Sequence, residues 1–285
     1  MSDNAFQDGL YRRVEQGRKG VSWIRPALWC GWLGLVLLLL GGSPALAGTP
    51  DPVGTQTWLA EWVTRGDFDR EWLNALLAPL TLDERVLHLM DSQAEAKPYY
   101  IYRQNFIDER RIQHGRELMR THRALLQRIQ QHYHVPGEVL VALWGVESDF
   151  GRNAGGFSVL RTLYTLATAY PRRAPFFQEE LRQFLLLCRE EGWDPHDPEG
   201  SYAGAIGQMQ MMPSTLRKYA ADGDNDGKRD IFHDTPDVLA SIASFLAGHG
   251  WNPDGVMSIA LNDKINPGLS ALVSPSQSEY RDPTA

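Results

Sequence analysis

Residues 135–153 read VPGEVLVALWGVESDFGRN, and no other stretch limits the fold so tightly. Pro136 suits the first helical position, where a missing N–H costs nothing. From Val139 onward, Leu140, Val141, Leu143, Trp144 and Val146 leave no polar face, which predicts a helix buried on nearly all sides. Glu147 arrives at its end, just ahead of a Gly151 exit. In apolar surroundings desolvation raises a carboxyl pKa and keeps a proton available near neutral pH, as a general acid needs. A buried glutamate that caps a helix or pairs with a neighbour leaves the same trace, so the rest of the chain must choose between the two.

The first 47 residues read as a targeting segment. Arg25 precedes an apolar run over residues 27–40, and Ala45-Leu46-Ala47 offers a small-x-small cleavage site. The run is short for a full membrane span, so cleavage after Ala47 and a soluble periplasmic product are expected; an uncleaved segment would leave the protein membrane-associated. The true start is expected near Val21, because the polar stretch before Arg25 is long for a signal. Loss of this segment takes the formal net charge from −7 to about −9. An acidic chain with no basic stripe is a poor nucleic-acid binder, which sets that class of partner aside. Of the two cysteines Cys30 leaves with the signal, so Cys188 has no intramolecular partner and the exported domain holds together without a disulfide.

Strand-like alternation is almost absent, and the fold class is mainly α. Thr81 or Asp83 can cap a helix through Val86, Leu87 and Met90, and Trp58, Trp62 and Phe68 recur at roughly helical spacing. The aromatic cluster around Tyr99, Tyr100 and Tyr102 reads either as helix packing or as a sugar-binding shelf. Residues 105–133 predict one long helix with Leu118, Leu125, Leu126, Ile129 and Tyr133 on a stripe. His132 and His134, two apart, do not face together, so no metal pair is expected there. Ser158 suits the cap of a helix through Leu160, Leu163 and Leu166. Pro175 opens another, with Phe177, Leu181, Phe184, Leu185 and Cys188 on one face. Residues 252–285 hold four prolines among small polar residues and predict an irregular tail.

Two loops carry chemistry. Residues 200–213, GSYAGAIGQMQMMP, place three glycines where backbone must turn sharply or approach something closely. Ser201, Tyr202, Gln208 and Gln210 supply hydroxyl and amide groups suited to sugar hydroxyls or N-acetyl groups, although a compact connecting loop has the same composition. In residues 222–237, Asp222, Asp224 and Asp226 alternate ahead of Gly227, the first half of an EF-hand-like calcium loop. Asp230 stands at position nine and His233 at position twelve, where a bidentate glutamate is usual. Asp234 or Asp237 would have to close the shell.

Together with KPYYIYRQNFIDERRI and TLATAYPRRAPFFQEEL, these stretches resemble the lytic murein transglycosylase B family from about Trp58 to Trp251. The resemblance implies a lysozyme-like, mainly helical domain over residues 48–285, with Glu147 as the single catalytic acid and base. It implies that Ser201 and Gln210 bind or orient substrate, and Tyr102 belongs to the family's segment ahead of its long helix. It also implies one structural calcium held by Asp222, Asp224, Asp226, Asp237 and the backbone carbonyl of Lys228, with no organic cofactor. The implied substrate is the peptidoglycan glycan strand, cut between N-acetylmuramic acid and N-acetylglucosamine to leave 1,6-anhydro ends; other cell-wall enzymes are the implied protein partners. Family members continue with a Tyr-Asn-containing segment of the substrate groove that residues 252–285 lack, so a truncated chain, a chain split from a partner or a shorter groove is expected. A water-using muramidase and a catalytically silent peptidoglycan binder are the rival readings.

Overall fold

The computed structural model describes residues 51–92 and 105–255. The targeting segment, Tyr99, Tyr100, Tyr102 and nearly all of the tail lie outside them. Eleven helices follow in order among the described residues: α1 (Pro52–Thr55), α2 (Thr57–Thr64), α3 (Arg70–Leu77), α4 (Glu84–Asp91), α5 (Glu109–Thr121), α6 (Arg123–Tyr133), α7 (Gly137–Ser148), α8 (Val159–Ala169), α9 (Ala174–Glu191), α10 (Pro213–Tyr219) and α11 (Thr235–Gly248). Two short strands, β1 (Phe157–Ser158) and β2 (Glu199–Gly200), pair antiparallel, with Phe157 opposite Gly200. The mainly helical expectation holds.

Helix α9 is the central beam. It buries Phe177, Leu181, Phe184, Leu185 and Cys188 as the spacing predicts, and α8 lies along it with Leu160, Leu163 and Leu166 fully covered. Truncating any one of these leucines to alanine would cost about 2–5 kcal/mol through lost transfer energy and the cavity left behind. The Cys188 thiol is sealed in this layer, and burial pushes its pKa up to about 12. The expected caps are in place. Asp83 Oδ1 accepts from Arg85 N at 3.1 Å, and Ser158 Oγ accepts from Arg161 N at 3.4 Å. Thr165 Oγ1 of α8 in turn accepts from Asp83 N at 3.0 Å, fixing the start of α4 against α8.

Two expectations need correction. The single long helix over residues 105–133 is two helices, α5 and α6, broken at His122 (φ −98°, ψ 20°). Helix α5 packs against α7, whereas α6 packs mainly against α11, and one straight rod could not press its apolar stripe on both. Nor is α7 buried all round. It covers Gly137, Leu140, Val141, Trp144, Gly145 and Ser148, a one-sided i, i+3, i+4 stripe, and leaves Val146 42% exposed. Its neighbours α5, α6 and α11 occupy one side; opposite them Val139 and Leu143 are partly buried, and Ala142 and Val146 are exposed beside Glu147.

Candidate active site

Helix α7 ends in an abrupt reversal. Asp149 (φ 52°), Phe150 (φ 60°) and Gly151 (φ 82°) all adopt left-handed backbone, which costs a residue with a Cβ about 1–2 kcal/mol each. Side chains hold the turn in place. The Phe150 ring fills a notch cut by two glycines: a Cβ on Gly145 would stand 2.7 Å from it, and one on Gly115 of α5 would stand 3.3 Å away. The ring meets Trp144 edge-on at 5.7 Å between centroids, and His114 at 5.0 Å. Ser148 Oγ accepts from Gly151 N at 2.9 Å, and Ser148 O accepts from Asn153 N at 2.8 Å.

Two carboxylates bracket this reversal and are treated differently. Asp149 accepts from Arg110 Nη2 at 2.9 Å, Arg111 Nε at 3.1 Å and Arg152 Nη2 at 3.3 Å. Partial burial works to raise its pKa, but the arginine hydrogen bonds and charges outweigh it and hold the carboxyl below its usual range. Asp149 is spent. Glu147 makes no hydrogen bond or ion pair with any described residue. Its side chain is open to solvent on one side, while the protein around it strips enough hydration to push its pKa up. Such a group can hold a proton at higher pH than an ordinary glutamate and then surrender it.

The glycine-rich loop closes on this helix end. Gly200 bridges Ile206, and Ile206 bridges Met211. A Cβ on Gly155 would stand 2.1 Å from Gly200 O, so only glycine allows the two segments to run this close. Ser201 Oγ accepts from Ala203 N (3.3 Å) and Ala205 N (3.0 Å), leaving its hydroxyl proton free to donate. Gln210 Nε2 donates to Ala154 O at 2.8 Å and Gly207 O at 2.9 Å, and its Oε1 accepts nothing from the described residues. Gln208 is tied at both ends of its amide: Oε1 accepts from Trp144 Nε1 at 2.8 Å, and Nε2 donates to Phe232 O at 2.6 Å. The Tyr202 hydroxyl is half-buried and without a partner among the described residues. Beyond the loop opens a cleft of about 810 Å³, lined by Gly151, Gly155, Trp193, Asp197 and His233 among others; Glu147 is not in its wall.

The exit of the loop is clamped from below. Glu180 of α9, 4% exposed, accepts from Ser214 N at 2.9 Å and Ser214 Oγ at 2.7 Å, capping α10 where its own N-cap residue, Met212, cannot. The periodicity of α9 placed Glu180 among its apolar residues, a buried acid that signals such a partner. Arg110, Arg111, Phe150 and Glu180 are supports that sequence reasoning missed.

The acidic loop gathers Asp222, Asp224 and Asp237, whose carboxylate oxygens lie within 4.8 Å of one another. That separation suits one hard cation with ligands at about 2.3–2.6 Å. Asp222 accepts from Gly227 N, Asn225 N and Asp226 N, and these bonds lower its pKa. Asp237, 1% exposed, accepts only from Gly223 N at 2.6 Å and Asp230 N at 2.7 Å; burial dominates and raises its pKa. Three carboxylates so close, one of them buried and none paired with an arginine or lysine among the described residues, match the donor set of a calcium site. Asp226 stands outside the cluster and accepts from Lys228 N at 2.8 Å, while the Lys228 carbonyl accepts no hydrogen bond from the described residues. Asp234 caps α11 by accepting from Asp237 N, which leaves Asp237 as the closing residue.

Residues 55–280 match the transglycosylase SLT domain, a span that runs past Trp251 into the tail. The chain is 36% identical over 243 residues to membrane-bound lytic murein transglycosylase B of Escherichia coli (strain K12), covering 82% of this chain. It spans 65% of that relative's length. Among solved structures, Escherichia coli lytic transglycosylase Slt35 in complex with calcium superposes with a TM-score of 0.65 at 36% identity, covering 74% of this chain and 66% of that one. SltB3 from Pseudomonas aeruginosa, solved with NAG-NAM-pentapeptide and with NAG-anhNAM-pentapeptide, gives a TM-score of 0.61 at 32% identity, covering 68% and 52%. These neighbours are lysozyme-like lytic transglycosylases, in agreement with the expected fold class.

Proposed function

The chain belongs to the transglycosylase SLT domain family, and from this premise we propose that it is a peptidoglycan lytic transglycosylase with Glu147 as its only general acid and base. One observation carries the assignment: Glu147 is unspent and shifted toward its protonated form, while the neighbouring Asp149 is locked by three arginines. In the proposed reaction Glu147 protonates the oxygen that joins N-acetylmuramic acid to N-acetylglucosamine, and that C1–O bond breaks. The substrate's N-acetyl group stabilises the cation developing at C1. The Glu147 carboxylate then takes the proton from the C6 hydroxyl as its oxygen closes onto C1. No water is consumed, and the product ends in a 1,6-anhydro sugar. A hydroxyl tethered beside C1 has an effective concentration of up to about 10⁵ M or more, so it outcompetes solvent even in an open groove.

The Ser201 hydroxyl proton and Gln210 Oε1 are the uncommitted polar groups of the loop, suited to hold the sugar; Tyr202 offers a hydroxyl beside them. Tyr102, outside the described residues, completes the substrate set as a candidate shelf. Glycan strands as the substrate are supported by the fragments bound to SltB3, and the anhydro product by its NAG-anhNAM complex. One structural calcium is supported by the calcium complex of Slt35 and by the clustered Asp222, Asp224 and Asp237, with Asp226 and the Lys228 carbonyl as further ligands. Bound calcium would neutralise this cluster and brace the loop; no bond-making step passes through it. The targeting pattern of residues 1–47 supports export to the periplasm, and no helix among the described residues is long and apolar enough to cross a membrane.

Digestion of purified peptidoglycan in ¹⁸O water, read by mass spectrometry, tests the reading. Unlabelled anhydro-muramyl ends are expected. Label built into new reducing ends, with no anhydro species, would establish a muramidase instead, and intact glycan strands would establish a silent binder.

A further inference from the structure

We propose that Gln208 is a positioning residue that transmits occupancy of the acidic loop to the helix ending in Glu147. The inference rests on the calcium and Glu147 readings above and adds a link between them. Gln208 holds one short strap of chain, residues 230–233, with two bonds: its backbone N donates to Ile231 O at 3.1 Å, and its Nε2 donates to Phe232 O at 2.6 Å. The same strap is held from the other side by Asp237, whose Oδ2 accepts from Asp230 N at 2.7 Å. Asp230 Oδ1 passes that hold along by accepting from Phe232 N and His233 N, both at 2.9 Å. At its far end Gln208 Oε1 accepts from Trp144 Nε1, and Trp144 stands one turn before Glu147 on α7. Four consecutive hydrogen bonds therefore run from a candidate calcium ligand to the helix that ends in Glu147: Asp230 N to Asp237, Phe232 N to Asp230 Oδ1, Gln208 Nε2 to Phe232 O, and Trp144 Nε1 to Gln208 Oε1.

The chain of contacts has little slack. A Cβ on Gly151 would stand 2.3 Å from Gln208 Oε1, and one on Gly207 would stand 2.9 Å from Ile231 O. Trp144 and Ile231 are buried, at 4% and 1% exposure. A cation that draws on the Asp237 oxygens competes with the two N–H groups those oxygens now serve, so the strap shifts with the carboxylate. In a close-packed interior that shift is passed on rather than absorbed. Glutamine is the residue the geometry demands, because its amide donates at one end and accepts at the other; glutamate lacks the donor and methionine lacks both.

The test uses the full chain labelled with ¹⁵N-tryptophan, with the Trp144 indole N–H resonance assigned through Trp144→Phe. Calcium is titrated by NMR and by calorimetry in parallel. The Trp144 resonance should move with the calorimetric midpoint, while that of the exposed Trp72 stays in place. Turnover on peptidoglycan should differ about fivefold between chelated and calcium-saturated protein at similar KM, the lower range of measured couplings. In Gln208→Met, calcium should still bind, but the Trp144 resonance should no longer follow it and the turnover difference should fall below about twofold. Gln208→Glu, which keeps the acceptor for Trp144 and loses the donor to Phe232, serves if the methionine variant fails to fold, and should be uncoupled in the same way. A Trp144 resonance that ignores calorimetrically bound calcium, or one that still responds in a folded Gln208 variant, overturns the proposal. Absence of any calcium heat would instead overturn the calcium reading beneath it.

Discussion

Two acid-rich turns, one after α7 and one at the head of the acidic loop, handle negative charge in opposite ways. After α7 the protein supplies its own cations: Arg110, Arg111 and Arg152 converge on Asp149, and the adjacent Glu147 is left alone. In the acidic loop Asp222, Asp224 and Asp237 accept from backbone N–H groups and pair with no arginine or lysine among the described residues. The first turn is therefore neutralised by the protein's own arginines, and in the proposed reading the second would be neutralised by an outside cation. On the proposed function, the difference separates a site for proton transfer, where a nearby metal would drag the glutamate pKa down, from a site where a metal would brace the loop.

The largest expected effect breaks the comparison at Glu147. Glu147→Gln should lower peptidoglycan cleavage by about a hundredfold or more, since general acid–base catalysis commonly contributes that much. Undiminished turnover in a folded variant would end the assignment. The native enzyme should also lose turnover as pH rises through the raised Glu147 pKa, by about tenfold per unit above it, because the step begins with a protonated acid. A pH–rate profile flat through that window would contradict it.

Next in size is calcium. At a free concentration about 100 times Kd, binding to the folded chain alone stabilises it by about 2.7 kcal/mol. Thermal melts in calcium and in chelator should differ accordingly, whereas the melt of Asp237→Asn should be insensitive to calcium. Equal melting temperatures across millimolar calcium in the native chain would show that the acidic turn needs no outside cation.

Asp149→Asn sharpens the contrast from the other side and should cost about 1–2 kcal/mol. The Arg111 contact carries most of it, since both side chains are 16% exposed, and the more exposed Arg110 and Arg152 add little. A denaturant melt checks the value, and the cost should not change with calcium.

The smallest effect is on stability at Glu147 itself. Its folded pKa lies above the unfolded value, so the folded chain binds the proton more tightly. That contribution is fully present below the unfolded pKa and is lost as pH rises through the folded one. Above the folded pKa the ionised carboxylate is held at a cost, discounted by its exposure, so there Glu147→Gln should melt at the same temperature or slightly higher. A clearly lower melting temperature would mean that Glu147 braces the fold.

Local chemistry was legible in the sequence wherever a residue acts on its own neighbourhood. Asp83, Ser158 and Pro175 mark helix starts because capping is decided within three residues, and the face of α9 follows from spacing alone. Periodicity names apolar residues without naming what covers them, so Val146 reads as core when it is exposed, and the break at His122 leaves no trace. The hold of Arg111 on Asp149 and the tie of Gln208 to Trp144 join residues 38 and 64 positions apart, and no local pattern encodes them. Gln208 accordingly reads as a substrate ligand from its loop, while the structure commits both ends of its amide to protein.

The notch that receives Phe150 also limits how this active site can be moved. A designer who grafts residues 145–151 onto another helical scaffold would transfer the proposed catalytic glutamate, the left-handed turn and one wall of the notch. The second wall is Gly115, on a different helix thirty residues upstream in the chain. A recipient with alanine at the matching place would meet the Phe150 ring with a methyl group about 3.3 Å away, and the reversal that aims Glu147 would have to give. The transferable unit is therefore a pair of packed helices, and a library that varies the glutamate segment should hold both glycines fixed.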